Sequence, residues 1–365
     1  MPAEVRPLTR EDIPAVADLF IRVFRKQSSP APESLRTYFN DLYFDHPRTN
    51  PDRPSLVYCD GNRSIRGFVG VIPLPLRVGT RKITASVAGN HMVDPDLKDP
   101  FAGVLLLRRL FACNPLLTIS DSANEISTTL WPLLGGTVLT LYSMRWLRIL
   151  RPSGYALSLL PKGGRLSAAK TLLRPFCTAA DLVAAQLFRP SRSAEDVLTA
   201  REPDIETLQT AFSDVVGTRT LLPDYTRDEL AWRLNMAAQK DQYGPLHKVI
   251  VEDSSRTIVG WYLYYPNHGD VARVLQVVAR KGREGDVLNH LFLNARSRHC
   301  VAVMGAIEPG AVKEFSENKC LFFVRNTHMV AYSQDQEILG ALLRGDAFLS
   351  RLEGEWWTRL QGDRF

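Results

Sequence analysis

A histidine, an asparagine and a glycine-containing bend lie close together in VAGNHMVDPDLKDPFAGVLLLRRLF, residues 87–111. His91 has the intrinsic pKa of a general base that works near neutral pH, and Asn90 could orient a substrate. The alternation before the bend predicts a strand with Ser86, Ala88, Asn90 and Met92 on one face and Val87, Gly89, His91 and Val93 on the other. A hydrogen-bonded structural histidine at the strand end is the alternative interpretation of His91.

The bend after that strand has the composition of an anion site. A helix N-terminus exposes unpaired N–H groups and the positive end of the helix dipole. A glycine there, with a basic residue nearby, lets a phosphate approach the backbone closely. In DPDLKDPFAG, Pro95 and Pro100 stiffen the bend, Lys98 supplies charge and Gly103 supplies the close approach. These residues predict a phosphate-bearing ligand at the helix start, with an ordinary strand-to-helix turn as the alternative.

The elements that position these residues occur twice in the chain. TREDIPAVADLFIRVF has a counterpart in REPDIETLQTAFSDVV, and both begin a helix pattern, the first with Thr9 as its N-cap. A predicted hairpin around Gly67 has a counterpart around Gly260. A basic residue five positions before a glycine also recurs, as Lys98 with Gly103 and as Arg280 with Gly285. These matches keep the same order and predict tandem copies of one fold.

Length and composition predict a soluble protein of two domains. The 365 residues exceed one ordinary domain, and the repeat divides them into an N-terminal domain (1–150), a basic, partly helical connector (151–193) and a C-terminal domain (194–365). Five scattered cysteines without a CxxC pair argue against disulfides and zinc and for a reducing compartment. The N-terminus lacks the apolar core of a signal peptide, and the longest apolar stretch is too short to span a bilayer. We therefore expect a cytoplasmic protein without a metal site or a transmembrane segment.

The net charge of +6 is unevenly distributed. The stretch from Ile126 to Ala180 contains no Asp or Glu. Its basic residues include Arg145, Arg148, Arg151, Lys162, Arg165, Lys170 and Arg174. Two interpretations remain open: a solvated linker, or an electropositive surface that faces an anionic substrate, an acyl carrier protein or a membrane. Nucleic acid is not expected as a partner, because the sequence contains no recognisable binding module.

The strand and bend resemble the acyl-CoA pyrophosphate loop of the GNAT acetyltransferase superfamily, in which Val-x-Pro precedes Arg/Gln-x-x-Gly-x-Gly/Ala and a helix. Val93-Asp94-Pro95 matches the strand end, Lys98 the basic position and Gly103 the last glycine. Phe101 replaces the usual middle glycine, as Arg283 does in the second copy. The resemblance implies an α/β (α+β) fold of two tandem GNAT-like domains, each a mixed, mostly antiparallel sheet flanked by helices.

A second family element, Asn-x7-Tyr-x3-Gly, is also matched in part. The first copy keeps Asn124 and Gly135 but has Trp131 in place of the tyrosine that often protonates the departing thiolate. The second copy has Glu308, Phe315 and Lys319 at the three positions. Because neither ring carries a hydroxyl, the usual acid is absent from both copies. Tyr142, expected on the following strand, is the substitute candidate, and a thiolate that leaves without a dedicated acid is the alternative.

The resemblance implies an acyl-CoA-dependent N-acyltransferase, most simply an acetyltransferase, that acts on an amine of a small molecule or sugar. The N–H groups of Met92 and Val93 would bind pantetheine and polarise the thioester. The remaining cofactor candidates are Lys98, Asp99, Pro100, Phe101, Ala102, Gly103 and Asn124, and in the second copy Arg280, Gly282 and Gly285. The alternative is a non-catalytic GNAT-like module that binds CoA, an acyl carrier protein or a protein partner.

Overall fold

The computed structural model describes residues 3–48, 52–160, 198–217 and 219–365. Most of the predicted connector, from residue 161 to residue 193, lies outside these ranges. A 3-10 turn at Arg10–Asp12 precedes the first helix, and there the N–H of Thr9 donates to Asp12 Oδ2 at 2.9 Å. The strands and helices of the first half are β1 (Glu4–Pro7), α1 (Ile13–Phe20), α2 (Glu33–Tyr43), β2 (Leu56–Cys59), β3 (Ile65–Val78), β4 (Arg81–Val93), α3 (Ala102–Cys113), β5 (Thr118–Ala123), α4 (Glu125–Leu133), β6 (Thr137–Val138), α5 (Thr140–Ser143), β7 (Met144–Ile149) and α6 (Pro152–Ser158).

The second half repeats the central part of this order, as the sequence predicts. A hairpin, a strand, a helix and a further strand follow one another again at β10 to β13. The elements are β8 (Thr199–Arg201), α7 (Ile205–Val215), β9 (Leu221–Pro223), α8 (Arg227–Ala238), β10 (His247–Glu252), β11 (Ile258–Tyr265), β12 (Val271–Ala279), α9 (Glu284–Ser297), β13 (Ala302–Ala306), α10 (Val312–Glu317), β14 (Leu321–Val324), β15 (His328–Tyr332) and α11 (Gln336–Leu343).

The strands form two sheets that are mixed and mostly antiparallel. The first has the order β1-β2-β3-β4-β5-β15-β6, with β9 paired to β3, and the second has the order β14-β7-β13-β12-β11-β10-β8. In each sheet one named pair is parallel: β4 with β5 in the first and β12 with β13 in the second. The predicted fold class is therefore confirmed.

The two halves exchange a strand. β7, from the first half, lies between β13 and β14 of the second sheet, and β15, from the second half, lies between β5 and β6 of the first. Aromatic contacts accompany both exchanges. The Trp146 ring of β7 stacks on Phe315 with 4.8 Å between centroids, and the Tyr332 ring of β15 stacks on Phe111 at 4.2 Å.

Gly67 and Gly260 occupy equivalent places, as the sequence match predicts. Gly67 pairs with Val93 at the end of β4, and Gly260 pairs with Ala279 at the end of β12. A Cβ atom at Gly67 would lie 3.0 Å from Leu106 Cδ1 of α3, and one at Gly260 would lie 2.8 Å from Val287 Cγ2 of α9. In both halves the missing side chain lets the helix after the bend pack closely on the sheet.

The last 20 residues, 346–365, are called the C-terminal segment here; this segment returns from the second half to the first. Buried cations of α8 and the turn after it hold its backbone. Arg233 donates to the carbonyl oxygens of Leu352 and Pro73, each at 3.0 Å, and Lys240 Nζ donates to that of Thr358 at 2.8 Å. Its apolar side chains join the core around α1 and α2. The segment is thereby fixed against the central strands of the first sheet.

Candidate active site

The parallel strands β4 and β5 separate soon after they meet. They pair only at Ser86 with Thr118 and at Val87 with Ile119. The residues that follow on both strands line one cavity of about 160 Å³. Its walls are formed by Phe24, Ala88, Asn90, His91, Leu107, Ser120, Ser122, Ala123, Asn124, Ser127, Trp131, Glu355 and Gln361. The separation opens β4 beside the predicted phosphate bend.

A β-bulge interrupts β4 at this opening. The pairing with β3 shifts between Phe68 and Gly70, and Asn90 has a left-handed φ of 52°. The predicted alternation is therefore wrong beyond the bulge. Ala88 and Met92, assigned to one face, pack in different apolar clusters, whereas Val87 and Met92, assigned to opposite faces, share one. A regular period of two has no means of indicating the extra residue.

Asn90 and His91 both reach the cavity. Among the described residues, the side chain of Asn90 has hydrogen-bond partners there and His91 Nε2 has none. Asn90 Nδ2 donates to the hydroxyl of Tyr43 at 3.1 Å and lies 3.4 Å from Glu355 Oε2. His91 Nε2 is buried and has no hydrogen-bond partner among the described residues. Desolvation lowers the pKa of His91 to about 4, against a smaller opposing effect from the backbone of Gly103. His91 is therefore neutral near pH 7 and a weak base.

The two predicted backbone donors of β4 face opposite ways. The N–H of Asp94 donates to the carbonyl oxygen of Arg66 on the β3 side at 2.8 Å, and Met92 is paired with Phe68. Because N–H groups alternate along an antiparallel strand, that of Met92 faces β3 and that of Val93 faces away from β3. Val93 is thus the donor available to a ligand, and Met92 contributes instead to the core.

The bend before α3 is held by its own carboxylates. The buried Asp94 forms ion pairs with Arg22 at 3.1 Å and Arg66 at 3.3 Å. Asp99 accepts hydrogen bonds from the Tyr58 hydroxyl and, at 2.9 Å, from the N–H of Phe101. These bonds hold the bend and position the start of the helix.

The start of α3 is open to an anion. Ala102 and Gly103 are its first two residues, no side chain caps it, and its first turn contains no acidic residue. Lys98, Pro100 and Phe101 are exposed around it. These are the features that the sequence predicted for a phosphate site, and they lie at the end of β4 that borders the cavity.

The equivalent bend of the second half is closed by its own charges. Arg280 Nε donates to the carbonyl oxygen of Ile258 at 2.6 Å, and its guanidinium pairs with Asp214. Glu284 and Asp286 stand in the first turn of α9, where they repel a phosphate. Gly282 has a φ of 82° in the bend, and Gly285 has open space around it. Gly103 and Gly285 are both second in their helices, but the first bend (94–101) is four residues longer than the second (280–283).

The corresponding strands of the second half, β12 and β13, enclose less space. Among the described residues, cavities of about 30 and 10 Å³ lie beside them, with Phe348 in both walls. Glu308 caps the turn after β13 and forms an ion pair with Arg219 at 2.6 Å. The first half therefore offers the roomier site.

Glu355, which sequence reasoning missed, enters the first cavity from the C-terminal segment. Its carboxylate accepts the hydroxyl hydrogen of Ser122, and its N–H donates to Asp121 Oδ1 at 2.8 Å. Burial, followed by the negative charge of Asp121, raises the pKa of Glu355 to about 8. The sequence signal was an acidic residue among apolar ones in GEWW, residues 354–357.

Tyr142 is not in the site. It lies in the short helix α5 rather than on a strand, and its hydroxyl donates to the carbonyl oxygen of Ala347 at 2.9 Å. Burial raises its pKa well above the ordinary value for tyrosine. The prediction that Tyr142 lies on a strand and reaches the cleft is wrong, because the residues before β7 turn once as a helix and bury the ring.

The second family element is positioned as the sequence match suggests. Asn124 lines the cavity and caps α4, with Oδ1 accepting the N–H of Ser127 at 3.0 Å. Trp131 packs edge-on against Phe111, with 4.9 Å between the ring centroids. The match with the second copy extends to the backbone, because Gly135 and Lys319 both have a positive φ, 89° and 57°.

Two basic residues of the acid-free stretch are strand residues rather than part of a solvated surface. Arg145 and Arg148 lie on β7, and Arg148 is 4% exposed. Lys162, Arg165, Lys170 and Arg174 lie outside the described residues. Across the described ranges, no three His, Cys, Asp or Glu side chains form a group that could hold a metal. No helix within those same ranges has the length and apolar character needed to cross a membrane.

No protein-family model and no curated protein matches the chain. Solved structures do match its fold. A probable N-acyltransferase from Enterococcus faecalis V583 is 11% identical, with a TM-score of 0.59, and the match covers 91% of this chain and 72% of that one. A GCN5-related N-acetyltransferase from Kribbella flavida is 15% identical (TM-score 0.54; 90% and 70% covered). N-myristoyltransferase from Saccharomyces cerevisiae, with bound myristoyl-CoA, is 11% identical (TM-score 0.50; 91% and 79% covered).

These neighbours are GNAT-fold proteins, and they match along most of the chain. The resemblance predicted from the bend and from Asn124 is therefore confirmed at the level of the fold. The two halves of the chain repeat one arrangement of strands and helices and exchange strands.

Proposed function

We propose that the protein is an acyl-CoA-dependent N-acyltransferase whose active site is the cavity of the first half. The observation that carries the proposal is the meeting of three features at the separation of β4 and β5. These are the outward N–H of Val93, the uncapped start of α3 and the carboxylate of Glu355. The likeness to N-acyltransferase structures supports the same class of reaction.

The first bend would hold the acyl-CoA. The pyrophosphate would receive hydrogen bonds from the first turn of α3 at Ala102 and Gly103 and charge from Lys98. The N–H of Val93 would donate to pantetheine or to the thioester carbonyl, whose oxygen gains negative charge during attack. Asn124 borders the cavity as a further polar contact.

Glu355 would act as the general base. The acceptor nitrogen attacks the thioester carbon, the N–C bond forms, and the nitrogen's proton passes to the Glu355 carboxylate. The C–S bond then breaks, and its electron pair leaves on sulfur. The ionised form of Glu355, whose fraction grows as the pH rises toward 8, is a stronger base than an ordinary carboxylate. His91 is reassigned to a contact role, because its lowered pKa makes it a poor base.

No dedicated acid is included in this mechanism. Trp131 carries no hydroxyl and Tyr142 is bonded to the Ala347 backbone. A thiol has an ordinary pKa of about 8.5, so the thiolate is a fair leaving group at neutral pH. The donor is most simply acetyl-CoA, and the acceptor is an amine of a small molecule or sugar.

A non-catalytic module that binds CoA, an acyl carrier protein or another partner is the second candidate, and the missing tyrosine hydroxyl favours it. Contact of the basic connector with a carrier protein or an anionic surface remains part of this proposal, as does a cytoplasmic location. Binding of acyl-CoA without thiol release from any amine would favour the module over the enzyme.

The test is a calorimetric titration of acetyl-CoA into wild type, Gly103→Trp and Gly285→Trp. Both glycines are second in their helices, but a Cβ at Gly103 lies 3.4 Å from His91 Nε2, whereas Gly285 has no atom within 4 Å. We expect binding to be lost only in Gly103→Trp, with Gly103→Ala as the folding control. Loss in Gly285→Trp alone would move the site to the second half. Failure of folded wild type to bind would reject the proposal.

A further inference from the structure

Arginines from three elements meet near Asp121, the residue that accepts the N–H of Glu355. They are Arg145 on β7, Arg273 on β12 and Arg351 on the C-terminal segment. Aromatic rings connect two of them. The guanidinium of Arg351 lies 4.2 Å from the Trp356 ring, Trp356 stacks on Tyr243 at 5.5 Å, and Arg273 lies 5.5 Å from the Tyr243 ring. We call Arg145, Arg273 and Arg351 the arginine cluster.

The arginine cluster has more donors than partners. Arg351 is only 5% exposed, and none of the three arginines forms a salt bridge within the described ranges. Arg351 Nη1 and Arg273 Nε are buried without a hydrogen-bond partner there. Buried donors without partners are costly, and they are rare in proteins unless something else satisfies them.

The electrostatics of the cluster show the same excess of positive charge. Burial, followed by the charges of Arg145 and Arg273, lowers the pKa of Arg351 to about 9. Asp121 is the carboxylate that acts on both Arg351 and Arg145 in the opposite direction. Asp270 acts in the same way on Arg273, but Arg325 adds a further positive charge beside Arg145 and Arg273. The carboxylates therefore do not balance the guanidinium groups, and the site favours a further anion.

Asp121 also connects the cluster to the cavity. Its Oδ1 accepts the N–H of Glu355 at 2.8 Å, and a Cβ on Gly354 would lie 2.0 Å from its Oδ2. Arg351 and Glu355 are four residues apart. Arg233 holds the segment between them through a hydrogen bond to the carbonyl oxygen of Leu352. A ligand held by the cluster would extend past Asp121 to reach the carboxylate of Glu355 in the cavity.

We propose that the arginine cluster binds an anionic group, a carboxylate or a phosphate, on the acceptor whose amine reacts beside Glu355. Guanidinium groups bind carboxylates and phosphates through paired hydrogen bonds. Tyr243 and Trp356 hold the guanidinium groups of Arg273 and Arg351 in position. The inference rests on the proposed acyl transfer for the identity of the ligand as an acceptor. It deepens that proposal by naming the acceptor as an amine that carries an acid.

The first test measures anion binding without turnover. Inorganic phosphate and succinate are titrated separately at constant ionic strength, with tryptophan fluorescence as the readout, because Trp356 contacts Arg351. Each titration is run with and without saturating CoA, which occupies the bend before α3. Arg273→Gln and Arg145→Gln each remove one arginine of the cluster, from β12 and from β7. Arg344→Gln is the control, since it removes the same charge from an exposed position.

We expect saturable binding by wild type and by Arg344→Gln, and at least tenfold weaker binding by both cluster variants. Saturation by only one probe identifies the group as phosphate or carboxylate. Equal binding by all four proteins, or no saturation of wild type by either probe, would overturn the inference. Because no step of this experiment needs acyl transfer, its outcome is separable from failure of the proposed function.

The second test uses turnover of matched acceptors with acetyl-CoA. O-phosphoethanolamine is compared with ethanolamine, and β-alanine with its carboxamide. We expect kcat/KM to favour the acidic member of a pair at least tenfold in wild type and to lose that preference in Arg273→Gln. Equal use of acidic and neutral members contradicts the inference but leaves acyl transfer intact. Absence of all turnover, with anion binding present, contradicts the proposed function instead.

Discussion

The carboxylate of Glu355 occupies the space that a side chain on Gly89 would need. A Cβ at Gly89 would lie 2.0 Å from Glu355 Oε2. Glycine at this position of β4 thus lets an acidic residue from the far end of the chain approach the strand beside the cavity. The relationship joins residues 89 and 355 into one site, and it makes the chemistry of the first half depend on the C-terminal segment.

Replacing Glu355 should remove the base while retaining the fold. We expect Glu355→Gln to lower kcat by about 100-fold or more, the range in which general bases contribute, and to leave the Kd for acetyl-CoA within about twofold. Assays of CoA thiol release give kcat, and calorimetry gives the Kd for acetyl-CoA. Glu355→Asp is the matched control. It keeps the carboxyl group but shortens its reach, so its kcat should lie between those of wild type and Glu355→Gln. Unchanged turnover in Glu355→Gln would exclude the residue as the base.

Adding a methyl group at Gly89 should displace the Glu355 carboxylate. We expect Gly89→Ala to lower the free energy of unfolding by about 1–3 kcal/mol, as overpacked sites do, and to lower kcat. Gly285→Ala is the control, because no atom lies within 4 Å of its Cβ position, and its stability should change little. Urea unfolding and thiol release measure the two effects. A Gly89→Ala protein with wild-type stability and kcat would contradict the close approach.

The raised pKa of Glu355 predicts how stability depends on pH. The folded protein binds the proton more tightly than the unfolded chain, whose glutamates have a pKa of about 4.3. The contribution of Glu355 is therefore most favourable below about pH 4.3 and is lost as the pH rises toward 8. We expect wild type to lose stability relative to Glu355→Gln between pH 5 and 8. One pKa unit corresponds to about 1.4 kcal/mol, so the loss is a few kcal/mol at most.

Urea unfolding at pH 5, 6, 7 and 8 measures this difference. Comparison with Glu355→Gln matters because burial also raises the pKa of Asp121 and Glu353, and those groups are present in both proteins. Parallel stability curves for the two proteins would show that Glu355 titrates normally.

The two bends should respond differently to loss of their basic residue. We expect Lys98→Gln to weaken acetyl-CoA binding several-fold, because Lys98 is exposed beside an uncapped helix start. Arg280→Gln should leave the Kd unchanged, since Arg280 is bound to Asp214 and to the Ile258 backbone. Calorimetry at low and moderate salt checks both, and the Lys98 effect should shrink with salt. The reverse pattern would assign the cofactor to the second half.

Features that depend on residues close together in the chain could be predicted from the sequence. The repeat, the bend with Lys98 and Gly103 and the hairpin glycines follow from spacing and residue type, and the structure places them as expected. The bulge at Asn90 could not be predicted, because an alternating pattern of residues does not show where a strand contains one extra residue. Glu355 was missed for a different reason: its partners Asn90 and Ser122 are more than 200 residues away in the chain, and no local pattern encodes such contacts.

The strand exchange is the largest feature that the repeat concealed. Two copies of one sequence pattern suggest two independent sheets, yet β7 and β15 each complete the sheet of the other half. Identical order along the chain is compatible with either arrangement. Side-chain contacts such as Trp146 against Phe315 are part of the exchanged arrangement.

That exchange makes each half depend on the other for its core. Trp146 belongs to the first half in sequence, but it is 0% exposed in the second core, where its Nε1 donates to the carbonyl oxygen of Ala306 at 2.9 Å. We expect Trp146→Ala to cost about 3–5 kcal/mol, as large-to-small core substitutions do. Hydrogen exchange should then rise first in α9 and β13, in the half that was not mutated. Trp131→Ala, in the first core, is the matched control and should expose α3 and β5 instead. Exchange that rises only around β7 itself in Trp146→Ala would mean that the second sheet is complete without the borrowed strand.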